Sequence, residues 1–289
     1  MAEISHAQPA AEPFFISQQT GLSGPLAVYD WPAPEGPVRG RVLMVHGLGE
    51  HMGRYDPVAQ QLRSWGFAVR GYDHYGHGRS AGPRGDMVNA RCLMGDLACM
   101  IDVTRQLSLA QDKPLILLGH SLGGLITAHA VASQLREVDG LVLSSPALAT
   151  SANFVQKMLL ALLPRMAPHL GVDNGLKAHF VARNAQVVQA YLADPLVHRR
   201  ISAGLAQWIV QQGPLTVAHA AQWDVPTLLL YAQDDHLVDP EGSAQFAKRA
   251  PACVSSHCFK AMYHEIFNDP EKALVFDQLK AWLDAHFSV

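Results

Sequence analysis

The sequence predicts an α/β protein with a mostly parallel central sheet, flanking helices and a helical cap insertion. Short apolar runs alternate with stretches of helical periodicity, which is the pattern that builds a parallel sheet covered on both faces. One interval of roughly 70 residues interrupts this alternation with helical periodicity alone. At 289 residues, with 49% hydrophobic and 16% charged positions, the chain can bury one large core and a modest insertion.

Six compact apolar runs with turn or helix signals around them are predicted strands. A further run, residues 26–30, is predicted as an antiparallel edge strand. Three Asp-Pro pairs predict helix starts, because each sets an N-cap acid before a proline at the first helical position. The strands are residues 41–45, 68–72, 115–118, 141–144, 227–231 and 254–259, and the pairs are Asp56-Pro57, Asp239-Pro240 and Asp269-Pro270.

The interrupting interval defines the predicted domain organisation. Residues 148–218 are predicted to form the cap, and residues 1–147 and 219–289 to form the core around the sheet. The interval contains no convincing strand. Its prolines are expected to divide it into several short helices rather than one long helix, and they are Pro164, Pro168, Pro195 and Pro214.

Composition excludes several classes of function. The formal charge of -3 and the lack of a long basic run argue against nucleic acid and against a polybasic membrane anchor, so a small-molecule partner is expected. Residues 1–15 lack a basic segment followed by an apolar run, so we expect no secretory signal and a cytoplasmic location.

The four cysteines fit neither a disulfide framework nor paired zinc ligands and are interpreted as buried thiols; they are Cys92, Cys99, Cys253 and Cys258.

A glycine-flanked serine lies between a predicted strand and a predicted helix. Residues 119–123 read Gly-His-Ser-Leu-Gly, after strand 115–118 and before a helix expected over 125–135. This is what a nucleophile elbow requires, because a Cβ at position 119 or 123 would collide where the chain reverses. The strained turn raises the hydroxyl of Ser121 at the carboxyl edge of the sheet. Ser121 is therefore the candidate nucleophile, and an idle serine in a glycine-rich turn is the weaker alternative.

A serine hydroxyl needs a base to take its proton, and the base needs a third group to fix its tautomer. Of the 15 histidines, His264 lies just beyond the last predicted strand and before the terminal helix, so it is the candidate base. Asp234, Asp235 and Asp239 all follow strand 227–231. Asp239 is expected to cap a helix. The local sequence does not choose between Asp234 and Asp235.

The loop after strand 41–45 is a candidate oxyanion loop. Residues 46–51 read His-Gly-Leu-Gly-Glu-His, and the two glycines allow close approach of the backbone. The N–H groups of Leu48 and Leu122 are expected to bind the negative oxygen of a tetrahedral intermediate. A simple tight turn is compatible with this role.

A second loop, residues 72–80, offers Asp73, His74 and His77 within a few positions. No further ligand set with recognisable spacing accompanies them, so a loop with local polar bonding is favoured over a metal site. The sequence predicts neither a metal nor a cofactor.

With these motifs in view, the chain resembles the monoacylglycerol lipase and lysophospholipase group of α/β hydrolases over most of its length. The matching pieces are His46-Gly-Leu-Gly-Glu-His51 with Arg54-Tyr55, Asp73-His-Tyr-Gly-His-Gly-Arg-Ser80, Gly119-His-Ser-Leu-Gly-Gly124, Asp194-Pro-Leu-Val197 and Tyr263-His264. The resemblance favours Asp235 as the acid, with Asp234 as the fallback. It also implies oxyanion donors at Leu48 and Leu122 and a cap around an apolar acyl tunnel. The implied substrate-binding residues are Gly47, Glu50 and His120.

The resemblance gives the cap a functional interpretation. Segment 154–163 is too uniformly apolar for a solvated helix. Its simplest role is to pack on the main domain. The functional alternative, which does not exclude the first, is that part of it lines an acyl-chain pocket or touches a membrane surface transiently. The oligomeric state is not predicted.

The sequence as a whole predicts a serine hydrolase that cleaves carboxylic esters through an acyl-enzyme, with monoacylglycerols or lysophospholipids as the leading substrates. A short-chain carboxylesterase is the runner-up, and a thioesterase, an acyltransferase or a carbon–carbon hydrolase would use the same triad. A binding module without chemistry is disfavoured by the complete Ser, Asp and His set. An aspartate-nucleophile enzyme is disfavoured because serine occupies the elbow.

Overall fold

The computed structural model describes residues 12–17, 23–31, 37–106, 112–150 and 166–288. Eight strands of these residues form one sheet, in the order β1-β2-β4-β3-β5-β6-β9-β10. Neighbours from β4 to β10 are parallel, and β2 runs antiparallel to both β1 and β4. The strands are β1 Phe14–Ile16, β2 Leu26–Trp31, β3 Gly40–Val45, β4 Phe67–Tyr72, β5 Leu115–His120, β6 Gly140–Ser144, β9 Thr227–Ala232 and β10 Val254–Phe259. The predicted α/β class with a mostly parallel sheet is confirmed.

Helices cover both faces of the sheet. In β3, Leu43 and Val45 join the core on one face, while Val42 and Met44 join the core on the other. Buried side chains of α2, α3, α5 and α6 complete the first core, and those of α1 and α7 complete the second. The helices are α1 Asp56–Ser64, α2 Cys92–Arg105, α3 Leu122–Ala132, α4 Ala185–Ala193, α5 Ala203–Ala218, α6 Pro240–Arg249 and α7 Lys272–His286.

The antiparallel strand β2 is not at the edge of the sheet, so that part of the prediction is wrong. Phe14–Ile16 pairs outside it, with Phe15 opposite Ala27. A strand of three residues is too short to show an alternating pattern, which is why the sequence did not reveal it.

The segment between β6 and β9 contains strands that the sequence did not predict. β7, Gly171–Asp173, and β8, Arg200–Ser202, form a two-stranded antiparallel sheet. Helices α4 and α5 also belong to this segment. The boundaries 148–218 stay a prediction, and the apolar segment 154–163 lies outside the described residues, as does Pro164.

Pro214 lies inside α5 and does not divide it, contrary to expectation. A proline removes one backbone hydrogen bond and typically costs about 3 kcal/mol in a helix interior. Trp208, Ile209 and Val217 are buried on this helix, and their burial offsets that cost. The helix therefore continues through the proline to Ala218.

Two of the three Asp-Pro pairs, Asp56-Pro57 and Asp239-Pro240, begin a helix as predicted, but only Asp239 is the N-cap residue. Asp239 is the N-cap of α6 and accepts the Glu241 N–H at 3.0 Å. Asp56 is already part of α1, and its carboxylate accepts the indole N–H of Trp31 at 2.8 Å. Asp269 lies before α7, which begins at Lys272, and pairs with Arg183 at 2.6 Å. Asp269 Oδ1 still accepts the Glu271 N–H at 2.9 Å, so its carboxylate makes the local bond of a cap although α7 begins three residues later.

The structure also bears on the predicted burial of the cysteines and on the possibility of a membrane-spanning helix. All four cysteines are free; Cys92 and Cys99 are buried as predicted, whereas Cys253 and Cys258 are partly exposed. Among the described residues, no helix combines the length and apolar character needed to cross a bilayer.

The side chain of Arg41 ties the start of β3 to the C-terminal end of α2 and to the segment before β5, and its loss should destabilise the fold. The guanidinium is 1% exposed and donates to the carbonyls of Thr104, Arg105 and Lys113 at 2.8 to 3.0 Å. In Arg41→Met these buried acceptors lose a charged donor, so we expect the free energy of unfolding in urea to fall by about 3 kcal/mol.

Arg136 is the control for this prediction, because its pair with Asp102 is about half exposed on both sides. Arg136→Met should cost less than about 1 kcal/mol. Equal losses for the two variants would contradict the role given to Arg41.

Candidate active site

The strand β5 runs into a sharp reversal at Ser121, and α3 begins at the next residue, earlier than predicted. Ser121 has φ 54° and ψ −118°, a conformation that costs a non-glycine residue about 1–3 kcal/mol. A Cβ on Gly119 would lie 2.4 Å from the Gly123 carbonyl oxygen, and one on Gly123 would lie 2.1 Å from that of Val45. Both glycines are therefore required by space, as the sequence predicts.

The three acids after β9 have three different partners. Asp235 Oδ2 is 2.6 Å from His264 Nδ1, while Asp235 Oδ1 accepts the N–H groups of Leu237 and Val238. Asp234 instead faces His236 at 3.1 Å on the surface. Asp239 caps α6. The structure thus brings Asp235, not Asp234, to the predicted base.

The charges around the Asp235–His264 pair shift both pKa values. Burial by itself lowers the pKa of His264, but the charge and hydrogen bond of Asp235, together with the charges of Glu265 and Glu50, outweigh burial and raise the pKa above its usual range. Burial raises the pKa of Asp235, but the charge and hydrogen bond of His264 outweigh it and lower that pKa. The pair therefore holds a proton on Nδ1 and favours a positive imidazole, which is what a base that accepts a proton during a reaction needs.

A buried network of charges lies behind this pair. Glu50 accepts the Gly47 N–H and the Tyr55 hydroxyl, each at 2.7 Å, and also pairs with Arg54. Arg54 binds Glu265 through two hydrogen bonds of 2.8 Å. One guanidinium therefore joins the loop before Arg54 to the loop that carries the predicted base.

The described part of the structure has a cavity of about 610 Å³ in front of Ser121. Ser121 and His264 both line it, together with Leu48 and Leu122. Much of the remaining wall comes from the segment between β6 and β9, and includes Val172, Leu176, Ala203, Ala206, Ile209 and Val210. The arrangement places a serine hydroxyl, an imidazole and two candidate N–H donors on the wall of one largely apolar cavity.

The residues predicted to bind substrate lie behind this cavity wall. Glu50 and His120 are buried to 4% exposure, and the His120 ring centroid is 4.7 Å from that of His264. Burial lowers the pKa of His120 to about 4, and its Nδ1 lies 3.1 Å from the Ser144 hydroxyl. Gly47 approaches Ser121 so closely that an added Cβ would be 3.1 Å from the Ser121 Cβ. This placement favours support of the loops over contact with substrate.

The loop 72–80 is held by polar bonds, of which some are local, as the sequence indicates, and others come from Met52 and Tyr29. The Asp73 carboxylate accepts the N–H groups of Met52 and Arg79 and the hydroxyl of Tyr29. Ser80 Oγ donates to the Asp73 carbonyl at 2.6 Å. Within the described ranges, no group of three His, Cys, Asp or Glu side chains is arranged to hold a metal ion.

Sequence reasoning missed Glu265 and the aromatic residue Phe180. Glu265 directly follows the predicted base, so a charged residue in a buried loop was the signal that could have revealed it. Phe180 stacks on His236 with centroids 4.2 Å apart, at the cavity wall. No local pattern identifies Phe180, because its partners come from distant parts of the chain.

Serine hydrolases of the α/β-hydrolase fold carry the nucleophile on this type of elbow. The chain is an α/β hydrolase of the serine ester hydrolase class. A family model described as serine aminopeptidase, S33, matches residues 36–271, and the chain belongs to that family.

Individual relatives show which members of the family this chain is similar to. A monoacylglycerol lipase from Mycolicibacterium smegmatis is 35% identical over 92% of this chain and 95% of its own length. A phospholipase from Bacillus subtilis is 32% identical over 85% of this chain and 95% of its own length. The crystal structure of a monoacylglycerol lipase from Paleococcus ferrophilus matches with a TM-score of 0.82 and 34% identity, over 90% of this chain and 99% of that one. These relatives confirm the resemblance seen in the sequence motifs.

The pairing of Asp235 with His264 can be tested by titrating the imidazole in an NMR experiment. We expect a wild-type pKa above 6.5, because the carboxylate stabilises the charged ring. Asp235→Asn removes that charge, so the titration of His264 should move to lower pH. The matched control is Asp234→Asn, which removes a charge one residue away that faces His236. A larger shift in the control would contradict the geometry described above.

Proposed function

We propose that this enzyme hydrolyses the ester bond of long-chain monoacylglycerols. The observation that carries the proposal is the single cavity lined both by Ser121 and His264 and by apolar side chains of the segment between β6 and β9. A largely apolar cavity of about 610 Å³ suits one acyl chain. The similarity to monoacylglycerol lipases over nine-tenths of the chain supports the glycerol ester as the substrate.

In the proposed reaction, Ser121 Oγ attacks the ester carbonyl while His264 Nε2 takes the hydroxyl proton. Asp235 keeps the other ring proton on Nδ1 and stabilises the imidazolium. The N–H groups of Leu48 and Leu122 bind the negative oxygen, where one such donor is typically worth about 3 kcal/mol. The bond to the alcohol then breaks, and His264 gives its proton to the leaving glycerol oxygen.

Deacylation repeats these steps with water as the nucleophile. His264 takes a proton from water, whose oxygen attacks the acyl carbonyl. The second tetrahedral intermediate collapses, the bond to Ser121 Oγ breaks, and His264 returns the proton to the serine. The products are a fatty acid and glycerol, and these steps use no cofactor.

In this proposal residues 148–218 act as the cap that forms the acyl site. Helix α5 contributes Ala203, Ala206, Ile209 and Val210 to the cavity wall. Asp173 and Lys177 lie on the same lining and give it a polar part suited to the glycerol head. A transient contact of the cap with a membrane surface and a cytoplasmic location stay predictions from the sequence.

The proposal is tested by a series of glycerol, lysophospholipid and simple esters with acyl chains of two to eighteen carbons. We expect kcat/KM to rise with chain length for the glycerol esters, because each buried CH2 contributes about 0.8 kcal/mol. Ser121→Ala should abolish both turnover and labelling by a fluorophosphonate.

Labelling that persists in Ser121→Ala would show that another residue is the nucleophile. A flat chain-length profile with intact labelling would overturn the acyl site alone. A higher kcat/KM for lysophospholipids than for monoacylglycerols would change the proposed substrate class to lysophospholipids.

The depth of the acyl site can be tested from α5. Ala206 lines the cavity, and Ala206→Phe should fill part of it. We expect kcat/KM for a sixteen-carbon ester to fall about tenfold, while a four-carbon ester is affected little, because the short chain does not reach the new ring. Leu215→Phe, on the exposed side of the same helix, is the control. Equal losses for both esters would show that the effect does not depend on chain length, which would contradict this placement of Ala206 along the acyl chain.

A further inference from the structure

The candidate oxyanion loop is anchored on both sides of Leu48. On one side, the Gly47 N–H donates to Glu50 Oε1 at 2.7 Å. On the other, the Gly49 carbonyl accepts the His198 N–H at 2.8 Å. The first anchor lies within the loop itself. The second comes from the segment between β6 and β9, so part of the loop geometry depends on that segment.

The contact at Gly49 is tight. Gly49 has φ +76°, a conformation that favours glycine, and an added Cβ would lie 2.5 Å from the carbonyl oxygen of His198. His198 therefore approaches the loop with both its N–H and its carbonyl. A small displacement of His198 would move the peptide that follows Leu48.

Asp194 builds the turn that presents His198. Its Oδ1 accepts the Leu196 N–H at 2.8 Å, and its carbonyl accepts the Val197 N–H at 3.2 Å. Its Oδ2 lies 2.8 Å from Nε2 of the buried His51, two residues after Gly49. One carboxylate thus shapes the turn and also ties it to the far end of the loop. Asp194 begins the Asp-Pro-Leu-Val motif, which the proposed chemistry does not otherwise use.

The charge state of Asp194 suits this role. Burial raises the pKa of its carboxyl group, but hydrogen bonds from His51 and Leu196 outweigh burial and lower the pKa. The group is therefore ionised at neutral pH and accepts both hydrogen bonds. The loop has two connections to the turn, one from Gly49 to His198 and one from His51 to Asp194.

We propose that these two connections, here called the 194–198 clamp, position the Leu48 N–H for the oxyanion. Asp194 and His51 are then positioning residues, which act through the loop and do not touch the substrate. The inference rests on the proposed function, since it concerns the oxyanion site of that reaction. If the clamp acts in this way, oxyanion binding depends on how residues 194–198 pack against the core.

The test compares two inhibitors with the same alkyl chain. A trifluoromethyl ketone adds the Ser121 oxygen and forms an oxyanion, whereas the matching secondary alcohol binds only through its chain. In Asp194→Ala we expect the affinity for the ketone to fall about 10- to 100-fold, the range expected when a catalytic group is misplaced by about 1 Å. The affinity for the alcohol should stay within about twofold. For the ester, kcat should fall while KM changes little.

Three further variants test whether the effect is a general structural one. His51→Gln can still donate to Asp194 and should recover most of the ketone affinity, whereas His51→Ala should behave like Asp194→Ala. Asn184→Ala removes the N-cap of α4, at the opposite end of that helix from Asp194, and should leave the ratio of the two affinities unchanged. If Asp194→Ala does not fold, the two His51 variants carry the test.

The outcomes are distinct. A wild-type preference for the ketone that survives both Asp194→Ala and His51→Ala would overturn the clamp and leave the proposed function intact. Equal weakening of ketone and alcohol would also overturn it, because the residues would then shape the chain site instead. A wild-type enzyme without any preference for the ketone would overturn the proposed function, and the clamp with it.

Discussion

The close approach of three backbone segments at the elbow is the constraint on which the site depends. Gly123 lies against the Val45 carbonyl, so the start of α3 touches the end of β3. This contact sets Ser121 beside the loop that carries Leu48, and both then line one cavity. The strained backbone of Ser121 persists because the buried strands on both sides of β5 hold it in place.

The two sides of the site are held by different means. The base loop is fixed by ionic contacts: Asp235 holds the ring of His264, and Arg54 holds the adjacent Glu265. The loop before Arg54 is fixed partly from within, by Glu50, and partly by the 194–198 clamp. Residues that fix these positions need not reach the substrate, which explains why Glu50 and His120 are buried behind the wall.

The sequence predicts best where the structure follows from local constraints. The elbow is predictable because sterics require glycine at positions 119 and 123, and the parallel strands are predictable because their apolar runs are buried on both faces. The choice between adjacent acids is harder to predict. Which of Asp234 and Asp235 turns inward depends on the hydrogen bonds that the N–H groups of Leu237 and Val238 donate within the loop. The resemblance to a family supplied that choice.

Elements that depend on distant contacts were missed. The strands β1, β7 and β8 have three residues each, too few for an alternating pattern to stand out. Pro214 remains inside a helix because tertiary burial outweighs its local preference. The bond from His198 to Gly49 joins positions about 150 residues apart, and no local pattern encodes it.

The Arg54 guanidinium has a consequence for how such sequences can diverge. It is shared by two buried carboxylates, Glu50 nearby and Glu265 at a separation of 211 positions. Loss of Arg54 leaves two buried carboxylates without their shared cation, and loss of either glutamate removes one of the two carboxylates that Arg54 binds. Breaking such a buried set is more costly than replacing all of it. These three positions should therefore change together among homologues. A chimaera that joined the first half of this chain to the second half of a relative would fold well only if both parents share the same trio.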